Sequence, residues 1–235
     1  MTSKEIIQEI KSLENPSVKK IFLKHGAQEP FYGVKVEELK KIQKKVKMNY
    51  ALSLELFDSG ISDAMYLAGL ISDPQKMSKK ELQQWAENAT WYMISEYAVA
   101  WTAAESKHGW ELALEWIESD AEKIACAGWC TLSCFVSLTA DENIDIKKLK
   151  LLLSRVEKTI HASPNRVRYT MNGFVISCGG YVAELTTLCI QIAKDIGTVK
   201  VNMGDTACKV PSAAEYILKM KDRGNLGKKK KTVKC

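Results

Sequence analysis

Apolar residues return every three or four positions along nearly the whole 235-residue chain, and most of these runs are preceded by a helix-starting signal. Ile6, Ile7, Ile10 and Leu13 share one face of a first helix. Asn15 before Pro16 places a capping side chain ahead of proline at the first helical position, and Ser78 with Glu81 forms a capping box in front of Leu82, Trp85 and Ala86. Asp141 to Asp145 and Ser163-Pro164 punctuate later starts. The periodicity predicts helices near 3–13, 16–25, 35–48, 49–59, 62–72, 79–88, 91–106, 109–118, 120–138, 145–160, 164–179, 182–196 and 212–222. Gly179-Gly180 reads as a helix C-cap.

Helices of similar length, joined by short polar loops into pairs of roughly 30 to 40 residues, outline an all-α fold. The expected form is a HEAT-like α-solenoid of antiparallel helix pairs, one domain over residues 1–222; because no strict period repeats, a compact bundle is the alternative. One stretch departs from the pattern. From Thr198 to Pro211, Val199 and Val201 alternate with Lys200 ahead of Met203-Gly204-Asp205, which predicts a β-hairpin near 198–210 inserted between two helices.

Charge is segregated. Residues 1–47 sum to +5, 48–145 to −11, 146–216 to +5 and 217–235 to +7, so an acidic middle lies between basic flanks. That pattern suggests one basic surface assembled from the two ends, including a C-terminal tail, 223–235, expected to be disordered. No run of 18 consecutive apolar residues is present, which argues against a membrane-spanning helix, and no charged-then-apolar leader opens the chain, so a cytoplasmic location is expected. The seven cysteines are an odd number, and Cys126, Cys130, Cys134, Cys178 and Cys189 sit in apolar helical patterns, as free packing thiols do. Cys126, Cys130 and Cys134 spread along about 12 Å of helix axis, too far for one zinc ion, and the three histidines have no ligand spacing. Neither a metal nor a cofactor is expected.

Pro30-Phe31-Tyr32-Gly33-Val34, Leu39 to Lys45, Leu52 to Phe57, Tyr66 to Pro74 and Ala89-Thr90-Trp91-Tyr92 together resemble the AlkD-type DNA alkylation repair family, HEAT-like alkylpurine DNA glycosylases. The resemblance runs from about residue 16 to 195. It implies a DNA-binding scaffold and, in active members, a helix with the pattern Trp-Trp-Asp-x-x-Asp. The matching stretch is Trp91-Tyr92-Met93-Ile94-Ser95-Glu96, which puts Tyr92 at the second aromatic position and Glu96 at the acidic one, four residues apart on one helix face. Cleaving an N-glycosidic bond builds positive charge on the sugar, which a nearby carboxylate shielded by aromatic rings stabilises. If excision survives here, Glu96 and Tyr92 are its catalytic candidates.

Three features depart from the active pattern. Glu96 is one methylene longer than Asp, Ile124 to Trp129 stands where an arginine is expected, and Met171-Asn172-Gly173-Phe174 stands where a tryptophan is expected. The chain therefore reads as closest to members of the superfamily that bind branched DNA without excising bases and carry an inserted hairpin. The candidate phosphate contacts are Arg166 and Arg168 at a helix start, Lys200 and Lys209 flanking the hairpin turn, and the tail lysines Lys228, Lys229, Lys230 and Lys231. The partner expected is branched or distorted duplex DNA. The other readings are an active alkylpurine glycosylase and a HEAT-type scaffold for a protein partner. Of the six tryptophans, at most two are expected to face the groove.

Overall fold

The structure is a computed structural model describing residues 1–234; Cys235 lies outside them. The regular elements of the described chain are all helical: α1 (Ser3–Ser12), α2 (Pro16–Lys24), α3 (Val36–Val46), α4 (Tyr50–Asp58), α5 (Ser62–Ile71), α6 (Lys79–Asn88), a π-helical segment (Ile94–Val99) running into α7 (Ala100–Ala104), α8 (Gly109–Trp116), α9 (Glu122–Leu138), α10 (Ile146–Thr159), α11 (Asn165–Tyr181), α12 (Thr186–Ile196) and α13 (Ala213–Asp222). The expected caps form. Asn15 accepts from the Val18 N–H, and the Ser78–Glu81 box closes in both directions. No single helix among the described residues is long and apolar enough to cross a membrane.

The helices stack in two layers. In one, α5, the π segment with α7, α9, α11 and α13 lie side by side; in the other, α4, α6, α8, α10 and α12 each back onto a member of the first. Two apolar clusters fill the space between layers, one built mainly from α1 to α8 and one from α8 to α13. Phe57 stacks flat on Trp85 at 4.1 Å in the first, and Trp129 meets Phe174 at 5.3 Å in the second. Gly179 and Gly180 lie inside α11 rather than capping it. A Cβ at 179 would meet Ile217 and Cys189, and one at 180 would meet Met220, so small residues here let α12 and α13 pack close against α11.

Among the described residues there is no strand, and the expected hairpin at 198–210 is replaced by an irregular loop. The reason is competition for its backbone groups. Asn165 donates to the Asn202 carbonyl (3.0 Å) and accepts from the Asn202 N–H (2.7 Å), Arg168 donates to the Lys200 carbonyl (2.9 Å), and Asn172 donates to the Pro211 carbonyl (3.0 Å). These three side chains lie at i, i+3 and i+7 on α11, so a helix face takes the place of a partner strand. At the far end the loop reaches the first helices. Asp205 pairs with Lys24 at 3.0 Å, and Gly204, at φ +73°, passes so close to the Lys24 carbonyl oxygen that a Cβ would collide with it.

Residues 225–234, within the stretch 223–235 expected as a disordered tail, run back across the helix ends. The Gly227 N–H donates to the Gly180 carbonyl and the Lys230 N–H to the Ser137 carbonyl, while Val233 is buried in the first apolar cluster. Lys229 donates to the Val136 carbonyl (2.9 Å) and pairs with Asp141 (2.8 Å); Lys234 donates to the Ser72 carbonyl (2.8 Å). Lysines at the C-terminal ends of α9 and α5 meet carbonyls that have no intrahelical partner, which gives a polar segment specific places to bind.

Candidate nucleic-acid interface

Glu96 sits in the π segment and Arg166 in the first turn of α11, 70 residues later, and their side chains meet as a fork. Arg166 donates through Nε to Glu96 Oε1 at 2.6 Å and through Nη2 to Oε2 at 2.7 Å. The guanidinium is clamped between two rings, with its carbon 4.0 Å from the Tyr92 centroid and 4.2 Å from that of Tyr169. Met203 of the loop lies over it, with Sδ 3.9 Å from Nη1. The Glu96 and Arg166 side chains are 3% and 14% exposed, so the pair is nearly dry.

Burial pushes the Glu96 carboxyl above the ordinary carboxylate range, and Arg166 pulls it back. Burial also disfavours the Arg166 charge, but the bonds and charge of Glu96 outweigh it and raise the guanidinium further. A fork of two short bonds requires an ionised carboxylate, so the pair is zwitterionic. Glu96 thus has its countercharge built in. The depression beside it is only about 140 Å³, below the roughly 300 Å³ at which ligand pockets begin.

The sequence candidates divide accordingly. Tyr92, Glu96 and Arg166 come together, but Arg166 faces inward. Its backbone N–H, of the kind a helix start offers to a phosphate, donates instead to the Glu122 carboxylate at 2.6 Å. Arg168 holds the loop. Lys200 and Lys209 are exposed on that loop, in no ion pair among the described residues. Lys228, Lys230 and Lys231 are exposed along the tail, whereas Lys229 turns inward to Val136 and Asp141. Sequence reasoning missed Tyr169 as the second face of the clamp; its position three residues after Arg166 was the available signal.

An open groove of about 390 Å³ crosses the layer formed by the π segment, α7, α9, α11 and α13, floored by Trp101, Cys134, Tyr169 and Ile176. Trp101 lines this groove and Trp91 the depression beside Tyr92, while Trp85, Trp116 and Trp129 are core. Burial pushes the Cys126 and Cys130 thiols up, away from the thiolate that would react or bind metal. Among the described residues no three metal-ligating side chains gather.

A two-layer helical stack with an aromatic-lined inner groove and basic edges defines the class. Residues 6–209 match the family of DNA alkylation repair enzymes, and the chain belongs to that family. It is 35% identical to an uncharacterized protein of Listeria innocua over 231 residues, spanning 96% of this chain and 100% of that one. A second, from Listeria monocytogenes, is 34% identical over 229 residues, 95% of this chain and 99% of the other. The fold is shared across the full length of both chains, at a TM-score of 0.91 and 37% identity, with a solved protein described as one of a new family related to the HEAT-like repeat DNA glycosylases with affinity for branched DNA structures.

Proposed function

We propose that this chain binds branched or distorted DNA by shape and phosphate contact and does not excise bases. The observation that carries the reading is the Glu96–Arg166 fork. A carboxylate stabilises a developing sugar cation through unbalanced negative charge, and this one is already balanced by a guanidinium at 2.6 and 2.7 Å between two tyrosine rings. The affinity of the solved relative for branched DNA supports the other half. Phosphate contacts fall to Lys200 and Lys209 on the 197–212 loop and to Lys228, Lys230 and Lys231 on the tail, all of them exposed and Lys230 lining the groove itself. Arg166 and Arg168 serve the same interface indirectly, by fixing the helix and loop that present those lysines.

Two assays test the reading. Methylated DNA incubated with the protein should release no 3-methyladenine or 7-methylguanine above a no-protein control; release abolished by Glu96→Gln would restore the glycosylase reading. In gel-shift titrations at fixed salt, four-way junctions should bind more tightly than linear duplex of the same length, and replacing residues 198–210 with a Gly-Ser linker should erase most of that preference. An unchanged junction-to-duplex ratio would remove the loop from shape recognition.

A further inference from the structure

We propose that a second pocket, between α13, the end of α11 and the C-terminal tail, captures an unpaired DNA strand, with a base stacked on Tyr216 and its phosphates held by Lys219, Arg223, Lys228 and Lys230. The proposal deepens the branched-DNA reading and rests on it, because branch points are where a duplex offers unpaired strand.

One wall is a stripe on α13. Tyr216, Lys219, Met220 and Arg223 fall at i, i+3, i+4 and i+7, while Ala213 and Ile217 on the adjoining face go into the core. The facing wall is the turn at 225–228, which is fixed by backbone bonds: the Asn225 N–H donates to the Met220 carbonyl and the Gly227 N–H to the Gly180 carbonyl, both at 2.9 Å. Tyr181 closes the floor, with the Lys230 ammonium 5.3 Å from its ring centroid. The space between the walls is about 390 Å³ and open to solvent on one side, within the range of small-ligand sites and large enough for a nucleotide.

Its charge is uncompensated. Four cationic side chains line the pocket and no carboxylate does; among the described residues none of the four is in an ion pair, although Lys19, Lys24, Lys41, Lys45 and Lys229 each have one. Like charges gathered without counterions repel, and the arrangement suits an anion that enters. Tyr216 supplies what a simple anion would not need: a large aromatic ring, 50% exposed, in the same helical stripe as two of the cations. A ring beside a cationic track is how single strands are held, since every base has a face to stack and a phosphate to neutralise. Paired bases cannot offer that face. Tyr181, Tyr216, Met220 and Lys230 also line the inner groove, so a strand leaving a branch point there passes directly into the pocket.

The test is fluorescence anisotropy of the full chain with labelled oligothymidylate of about eight nucleotides, with an abasic oligomer of the same length, with a fully paired four-way junction, and with a linear duplex of the junction's arm length. Wild type should bind oligothymidylate about tenfold more tightly than the abasic chain, and Tyr216→Ala should abolish that difference while Tyr216→Trp keeps it. Lys219→Gln with Arg223→Gln should weaken both single strands and lower the salt slope by about 1.4. Junction affinity should change less than about twofold in Tyr216→Ala, whose fold is checked by its melting curve. Equal binding of the two single strands, no binding of oligothymidylate by wild type, or unchanged oligothymidylate affinity in Tyr216→Ala overturns the pocket. Failure of wild type to prefer the junction over linear duplex overturns instead the branched-DNA reading, and is read in a separate arm.

Discussion

Cationic groups meet tyrosine rings in two regions of this molecule, and the two regions do opposite things. Around Glu96 the guanidinium of Arg166 lies between Tyr92 and Tyr169, its countercharge is internal, and water is nearly excluded. Around Tyr216 the cations Lys219, Arg223, Lys228 and Lys230 have no carboxylate partner and the ring is half exposed. The ingredients are alike, and the difference lies in whether the neutralising charge is part of the chain. Where it is, the cluster ties α11 to the π segment; where it is not, the cluster waits for an anion from outside. Arginine beside tyrosine is therefore no guide to function until the position of the nearest carboxylate is known.

The contrast is broken most forcefully by Arg166→Met, which leaves the buried Glu96 carboxylate without a partner. Urea denaturation should show a loss of about 3–5 kcal/mol, and Glu96→Leu added to Arg166→Met should recover most of it, because removing both charges of a buried pair costs far less than removing one. A loss below about 1 kcal/mol would mean that water reaches the pair. On the open side, truncation after residue 226 removes Lys228, Lys230 and Lys231, and should lower affinity for junction and linear duplex by a similar factor while reducing the duplex salt slope by about 2.7. A loss confined to junctions would give the tail a shape-reading role instead.

A smaller effect is expected where the two regions are linked through the loop. Gly204→Ala puts a Cβ at φ +73° against the Lys24 carbonyl, a conformational cost of about 1–2 kcal/mol, and should free the loop tip. Hydrogen exchange should speed up at 202–206 and, because Met203 covers Arg166, at the start of α11; unchanged exchange would mean that the tip is not held by Lys24. The smallest effect belongs to Lys234, a tail lysine in a setting closer to the sealed kind. Burial lowers its ammonium to about 8, against partial compensation from Glu105 and Asp73. A lysine depressed in the folded state loses its proton there first, so docking of the tail strengthens as pH rises from about 8 toward the unfolded value of 10.5. A carbon NMR titration of the lysine Cε signals checks this, and a Lys234 midpoint near 10.5 would mean that it is in water.

The helices and their caps were legible because they are local: Asn15 and Ser78 cap within three residues of themselves, and the apolar stripes need no distant partner. The family was legible for a similar reason, in short apolar motifs between residues 30 and 100. The loop was not. Alternation of Val199 and Val201 is a strand signal, but it cannot reveal that Asn165, Arg168 and Asn172, more than 30 residues earlier, take up the carbonyls a partner strand would need. The Glu96–Arg166 fork was hidden in the same way. Arg166 at a helix start has the local signature of a phosphate contact, and only the packing of α11 on α9, which in turn lies against the π segment, turns it inward, with Glu122 taking the backbone N–H. In the tail a run of four lysines suggests solvation, and composition has no view of the helix-end carbonyls that receive Lys229 and Lys234, which lie far away in sequence.

The π segment at Ile94–Val99 carries a historical consequence. Each residue added to an α-helix rotates everything beyond it by about 100°, whereas a single wider turn absorbs the addition and leaves the flanking helix in register. Gain or loss of one residue in this turn changes which of Ser95, Glu96 and Tyr97 is presented to α11 with no substitution at all. An alignment that pairs residues one to one across such an insertion or deletion would compare the wrong side chains. A lineage can silence or restore a carboxylate here by counting, while every letter around it stays the same.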